Sequence, residues 1–153
     1  MTNIRTVFIA FILLFISPLL TATDLVIENA WIREAPPVSQ VQAAYVTLKN
    51  NNENDIKVIS ATSSDFKRIE FHTTTLENGL MRMQQQAAIH ITAKNEVKLE
   101  PEGMHMMLFN PNKPLRAGEK INIDFTFSDG RSITFPFTVK KATTVDHHQH
   151  MHH

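Results

Sequence analysis

Cysteine is absent from this 153-residue chain, and its absence closes several routes at once. No thiolate is available to a metal, which excludes blue-copper electron-transfer centres and cysteine-based zinc sites. No disulfide can staple the fold, so an exported domain of this size must stand on its buried apolar surface. No lipobox cysteine is present to carry a lipid anchor. An excess of charge of either sign is also lacking: 15 Lys+Arg meet 15 Asp+Glu, and the bases are scattered, leaving no patch broad enough for nucleic acid. The longest uncharged apolar run, residues 7–20, is shorter than the roughly 20 residues a helix needs to span a bilayer. No segment after it holds a helical period for long.

The amino-terminal residues have the pattern of an export signal. A positive start ending at Arg5 precedes the apolar run, and the small residues Thr21, Ala22 and Thr23 follow before Asp24. Residues 1–22 are therefore expected to be a secretory signal peptide, cleaved near Ala22 or Thr23. Residues 23–141 would form one domain of ordinary size, and residues 142–153 a flexible tail of low complexity. After cleavage no stable membrane insertion is expected.

From Asp24 onward short alternating segments separated by turn residues dominate. Ile121, Ile123, Phe125 and Phe127 alternate with polar residues, Ser128-Asp129-Gly130 turns the chain, and Ile133, Phe135, Phe137 and Val139 alternate in return. Pro136 falls on the polar face of that second strand and cannot donate to a ladder, which predicts a sheet edge. Further strands are expected over 25–33, 42–49, 56–61, 68–72, 80–85, 88–92, 96–99 and 104–109. Asn78-Gly79 is a strong hairpin signal between two of them. Many short strands at this spacing predict an all-β, antiparallel β-sandwich or barrel.

The placement of sulfur and imidazole is the informative feature. Apart from Met1 and Met151, every methionine lies between Met81 and Met107, and the folded part holds His72, His90 and His105. Thioether is a soft neutral donor and imidazole a borderline one. Together, without thiolate or a carboxylate cluster, they favour Cu(I) over zinc, calcium or magnesium. His105 and Met107 leave the same face of an extended strand, as do Met81 and Met83. His72 falls in step with Arg68 and Glu70, while Ile69 and Phe71 point the other way, which puts His72 on the outer face. Competing readings stand beside this one. Met104 and Met106 share a face with Leu108 and read as core filler; Met83 and Met107, taken alone, read equally well as packing or as ligands. Met81 fits the core, a spare donor or a lip of the site, and His90 reads as a solvated histidine.

The chain nevertheless resembles a known family. His72, ten residues, Met83, twenty-one residues, then His105-Met106-Met107 reproduces the spaced His/Met pattern of the PCuAC periplasmic copper chaperones. The likeness runs from about Asp24 to Val139. It includes Ala30-Trp31-Ile32-Arg33 before Pro36-Pro37, the Ala43 to Leu48 segment, Glu77-Asn78-Gly79-Leu80-Met81-Arg82-Met83, and Leu99-Glu100-Pro101-Glu102-Gly103. The resemblance implies a cupredoxin-like antiparallel β-sandwich with Greek-key connections. It further implies a Cu(I) site made by His72, Met83, His105 and Met107, and a periplasmic location. Copper would be delivered toward the dinuclear centre of cytochrome c oxidase subunit II, alongside Sco-type proteins. Independently of the resemblance, a monomer is expected, and the lack of a second base, nucleophile or cofactor motif argues for transport without catalysis rather than an enzyme. The tail adds His147, His148, His150, Met151, His152 and His153, a loosely spaced set suited to Cu(II). That tail motivates the alternative of copper buffering or resistance without a specific acceptor. A metal-free adhesion or assembly module is the third reading.

Overall fold

The computed structural model describes residues 25–141. The expected signal peptide, residues 1–22, and the expected tail, with His147, His148, His150, Met151, His152 and His153, lie outside the described residues. Ten strands follow in order: β1 (Leu25–Arg33), β2 (Val41–Asn50), β3 (Ile56–Thr62), β4 (Phe66–Glu77), β5 (Leu80–Gln86), β6 (Ile89–Ile91), β7 (Glu96–Leu99), β8 (Met104–Pro111), β9 (Lys120–Phe127) and β10 (Ser132–Lys140). No helix occurs among the described residues. The all-β expectation holds, and the strands arise where β-branched and aromatic residues alternate with polar ones.

Hydrogen bonding links the strands in the order β5-β4-β8-β2-β1-β10-β9-β3-β6, with β7 pairing β2 off this path. Two features depart from the sequence expectation. The β1–β10 pair is parallel, so the sheet is mixed rather than purely antiparallel, and it is not closed into a barrel. The strand carrying Pro136 is also not at a sheet edge, because β10 lies between β1 and β9. The reason is local: β1 pairs only with Thr138 to Lys140, so beside Pro136 the β1 side of the strand carries no ladder that a missing N–H could break.

The sheet path doubles over itself. β3 contacts β4, and β6 contacts β2 and β7, although none of these pairs shares a ladder. The faces so apposed enclose Phe125, Phe127, Phe137, Ile32, Leu48, Met106 and Leu108, all fully buried. Two irregularities keep the apolar side chains pointing inward. In β1 the inward residues switch from Leu25 and Ile27 to Ile32, and the change falls at a register shift containing Asn29, whose φ is 55°. In β3 they switch from Ile56 and Val58 to Ala61 across a shift at Ile59. An extra residue in one strand reverses the side-chain parity beyond it, which is the usual effect of a β-bulge.

One buried polar residue ties the layers. Asn50 is fully buried; its Nδ2 donates to the carbonyls of Asn54, Ile91 and Thr92 at 2.9, 3.2 and 3.2 Å. Its Oδ1 accepts from the Asn52 amide at 3.0 Å. The side chain thereby fastens the end of β2 to β6 and to the loop between β2 and β3. Asn50→Leu removes the donor from three carbonyls, of which that of Ile91 is buried, while roughly keeping the volume. At about 1–3 kcal/mol for an orphaned buried group, the expected loss in urea unfolding lies in that same range. A loss below about 0.5 kcal/mol would show that these carbonyls find other partners.

The β4–β5 hairpin positions the site. Asn78 and Gly79 sit at its turn with φ of 51° and 80°, the pair of positive angles that a two-residue type I′ connection requires and that Asn-Gly supplies. The strand β4 runs further than the sequence alternation predicted, through four more residues than its partner β8 can cover: β8 begins at Met104, opposite Thr73. Beyond that point β4 and β5 form a two-stranded arm, and Leu76, Leu80, Met81 and Met83 on it are all more than half exposed.

Candidate metal centre

The β4–β8 register sets the heart of the site. His72 and His105 are directly opposite each other, with Glu70 opposite Met107 and Arg68 opposite Phe109. Residues opposite on antiparallel strands share a face, so the two imidazoles stand side by side, their ring centroids 6.1 Å apart at an interplanar angle of 29°. The third strand adds Met83, opposite Thr74. Thr74 is two residues from His72 and therefore on its face. Met107 and Met83 are thus both diagonal neighbours of His72, one on each flank. Sheet geometry puts such positions about 7–8 Å apart at the backbone, within the reach of long side chains.

Burial separates these residues. His105 is buried, with 8% of its surface exposed, and the His72 side chain keeps 14%. Met107 is half-buried beside them, whereas Met83 on the arm is 61% exposed. Met81, with 60% exposed, is not a core residue, which removes one of its three readings. Met106 is fully buried and Met104 packs against the core, as their shared face with Leu108 predicted. His90 is exposed at the far edge of the sheet in β6.

Hydrogen bonds orient both rings. The Nδ1 of His105 lies 3.1 Å from the Gly103 carbonyl oxygen. A carbonyl only accepts, so Nδ1 carries the proton and Nε2 keeps its lone pair. The Nε2 of His72 is 2.8 Å from the Glu70 carboxylate, and its Nδ1 is buried without a hydrogen-bond partner. An ionised carboxylate only accepts, so the nitrogen facing Glu70 must be the donor of the neutral ring. The proton therefore resides on Nε2, donated to Glu70, and Nδ1 presents a lone pair. The second Glu70 oxygen accepts from Arg68 Nε at 2.6 Å, and the Arg68 guanidinium lies 4.2 Å above the Phe109 ring centre. The hydrogen bond from His72, aided by the Arg68 charge, holds the Glu70 carboxyl below the usual carboxylate range against the opposing effect of partial burial.

Each imidazole thus offers one free ring nitrogen on a face that also carries two thioethers. Among the described residues no three His, Asp or Glu side chains are grouped to hold a metal; the further donors on this face are the thioethers of Met107 and Met83. The roles of Glu70, Arg68 and the Gly103 carbonyl were not assigned from the sequence. The alternation of Arg68 and Glu70 with His72 was the available signal, since a carboxylate two residues along a strand shares the histidine's face. Beside the site on β2, Tyr45 shares the face of Ala43, the partner of Met107, and packs on Trp31 with ring centres 4.5 Å apart.

Comparison with known proteins gives this chain a family. The LpqE-like lipoprotein family model matches residues 25–139. A curated relative from Leifsonia xyli subsp. xyli, "Putative lipoprotein Lxx21020", is 34% identical over 115 residues, covering 74% of this chain and 68% of its own. A Rickettsia prowazekii protein, RP573, is 30% identical over 88 residues, covering 57% of this chain and 49% of its own. Among solved structures, the copper-bound PCuAC domain from PmoF2 superposes with a TM-score of 0.67 at 20% identity, covering 78% of this chain and 94% of that one. The Cu(I) form of DR1885 from Deinococcus radiodurans gives 0.61 at 32% identity, covering 72% and 74%. By sequence and by fold together, the chain belongs to the LpqE-like family and is a PCuAC-type protein.

Proposed function

We propose that this protein is an exported copper chaperone that binds Cu(I) through His72, Met83, His105 and Met107 and passes it to a partner protein without catalysing a reaction. The observation that carries the reading is the pair of opposed imidazoles, each with one ring nitrogen free, on a face flanked by Met107 and Met83. Two neutral nitrogens and two neutral sulfurs match the preference of a soft monovalent ion. The likeness to the Cu(I) form of DR1885 and the copper-bound PmoF2 domain supports copper as the cargo.

Exposure suits transfer rather than storage. One sulfur donor, Met83, stands on the projecting arm, where an incoming protein can add its own ligand before the first set lets go. Such a shared intermediate avoids releasing a free ion. The acceptor in this reading is the dinuclear copper centre of cytochrome c oxidase subunit II or a Sco-type protein, and the compartment is the periplasm. The lipoprotein-named relatives support export. The His/Met tail would hold Cu(II) at a second site.

X-ray absorption on protein loaded with one equivalent of Cu(I) tests the reading. A monovalent edge is expected, with both sulfur and nitrogen scatterers, and signal is expected to move when an apo acceptor domain is added. Copper bound by nitrogen and oxygen alone would remove the main site from consideration.

A further inference from the structure

We propose that Glu70 is a positioning residue of the copper site: by accepting the Nε2 proton of His72 it commits that ring to bind copper through Nδ1, while His105 binds through Nε2. The inference rests on His72 and His105 being copper ligands. It goes further by naming the ligating atom of each ring and the residue that selects it.

The two rings are held by different means and at different nitrogens. The Nδ1 of His105 is engaged by a backbone carbonyl two residues away, an acceptor that no side-chain substitution removes. The Nε2 of His72 is engaged by a carboxylate, which is itself braced by Arg68 from the other side and, through it, by the Phe109 ring. The rows Arg68–Phe109, Glu70–Met107 and His72–His105 succeed one another along a single β4–β8 ladder. Glu70 therefore has little room to swing away, with its side chain only 16% exposed. Nδ1 of His72 is buried and has no protein donor to meet it. A metal ion is a partner that such a lone pair can accept without a proton. An acidic partner on the second nitrogen also raises the basicity of the first, as outer carboxylates do for metal-bound histidines elsewhere.

Nitrogen-15 NMR of the side chains tests the assignment, using the full chain, first without metal and then with one equivalent of Cu(I) or of Ag(I) as a spin-active surrogate. In the metal-free protein His72 is expected as the Nε2–H form and His105 as the Nδ1–H form. On loading, metal-induced shifts, and silver–nitrogen couplings, are expected at Nδ1 of His72 and Nε2 of His105. Glu70→Ala should let His72 populate both tautomers and weaken Cu(I) binding roughly tenfold to a hundredfold, the range seen when an outer partner of a ligand is lost. Glu70→Gln keeps an oxygen acceptor and should restore the Nδ1 preference and most of the affinity. Metal bound at Nε2 of His72 in the wild type overturns the proposal, since copper would then displace Glu70; so does a Glu70→Ala variant with unchanged affinity and tautomer. Should Glu70→Ala fail to fold, the wild-type spectra alone distinguish Nδ1 from Nε2 ligation. If Cu(I) leaves both rings unshifted in every variant, the copper reading itself falls, an outcome separate from metal bound at the other nitrogen.

Discussion

A Met83→Leu, Met107→Leu double variant is expected to keep its fold and lose Cu(I) affinity by more than about a hundredfold. Leucine matches methionine in volume, and such swaps cost less than about 1.5 kcal/mol even in a core. Here Met83 is 61% exposed and Met107 half-buried, so the thermal midpoint should move little. What the change removes is the sulfur. Losing one outer partner of a metal ligand already costs about 10- to 100-fold, so deleting two of the proposed ligands should exceed the upper end of that range. Competition against a Cu(I) chelator measures it. Wild-type affinity in the double variant would return both residues to the role of packing, and the site would shrink to a histidine pair.

The neighbouring methionine should behave in the opposite way. Met106→Ala is expected to cost about 2–5 kcal/mol of stability, the range for emptying a buried methionine site. Met106 is fully buried among Leu108, Phe71 and the other enclosed side chains, and it is paired with Ala44 on one side and Phe71 on the other. Its sulfur points away from His105 because adjacent residues on a strand face opposite sides. The folded fraction of the variant should therefore bind Cu(I) with affinity close to wild type. Urea unfolding and chelator competition, read on Met106→Ala and Met107→Leu side by side, should give a crossed pattern: one variant loses stability, the other affinity. Equal losses of affinity in both would mean that the site is spoiled by any disturbance of β8, and the division of labour along Met104–Pro111 would be refuted.

The two methionines show how far a local pattern reaches. Strand parity alone separated Met106, with Leu108, from Met107, with His105, because side chains alternate with a period of two whatever the strand pairs with. The same rule placed His72 opposite in facing to Ile69 and Phe71, and buried Phe71 fits it. Asn78-Gly79 was legible because two positive φ angles in succession leave few residue choices.

Sequence by itself determined the strand-rich class, the near-complete set of strand positions and the face on which each His and Met of the ladder lies, all of which follow from alternation and turn chemistry acting over a few residues. Only the tertiary structure decided which strands are neighbours. The pairing of His72 with His105, across thirty-two intervening residues, the parallel β1–β10 contact and the parity reversals at Asn29 and Ile59 all depend on register between distant segments. So does the hold of Glu70, kept between Arg68 and His72 by the ladder to β8. A period of two says which way a side chain points, but not what stands beside it; that is set by how the whole sheet folds over its core.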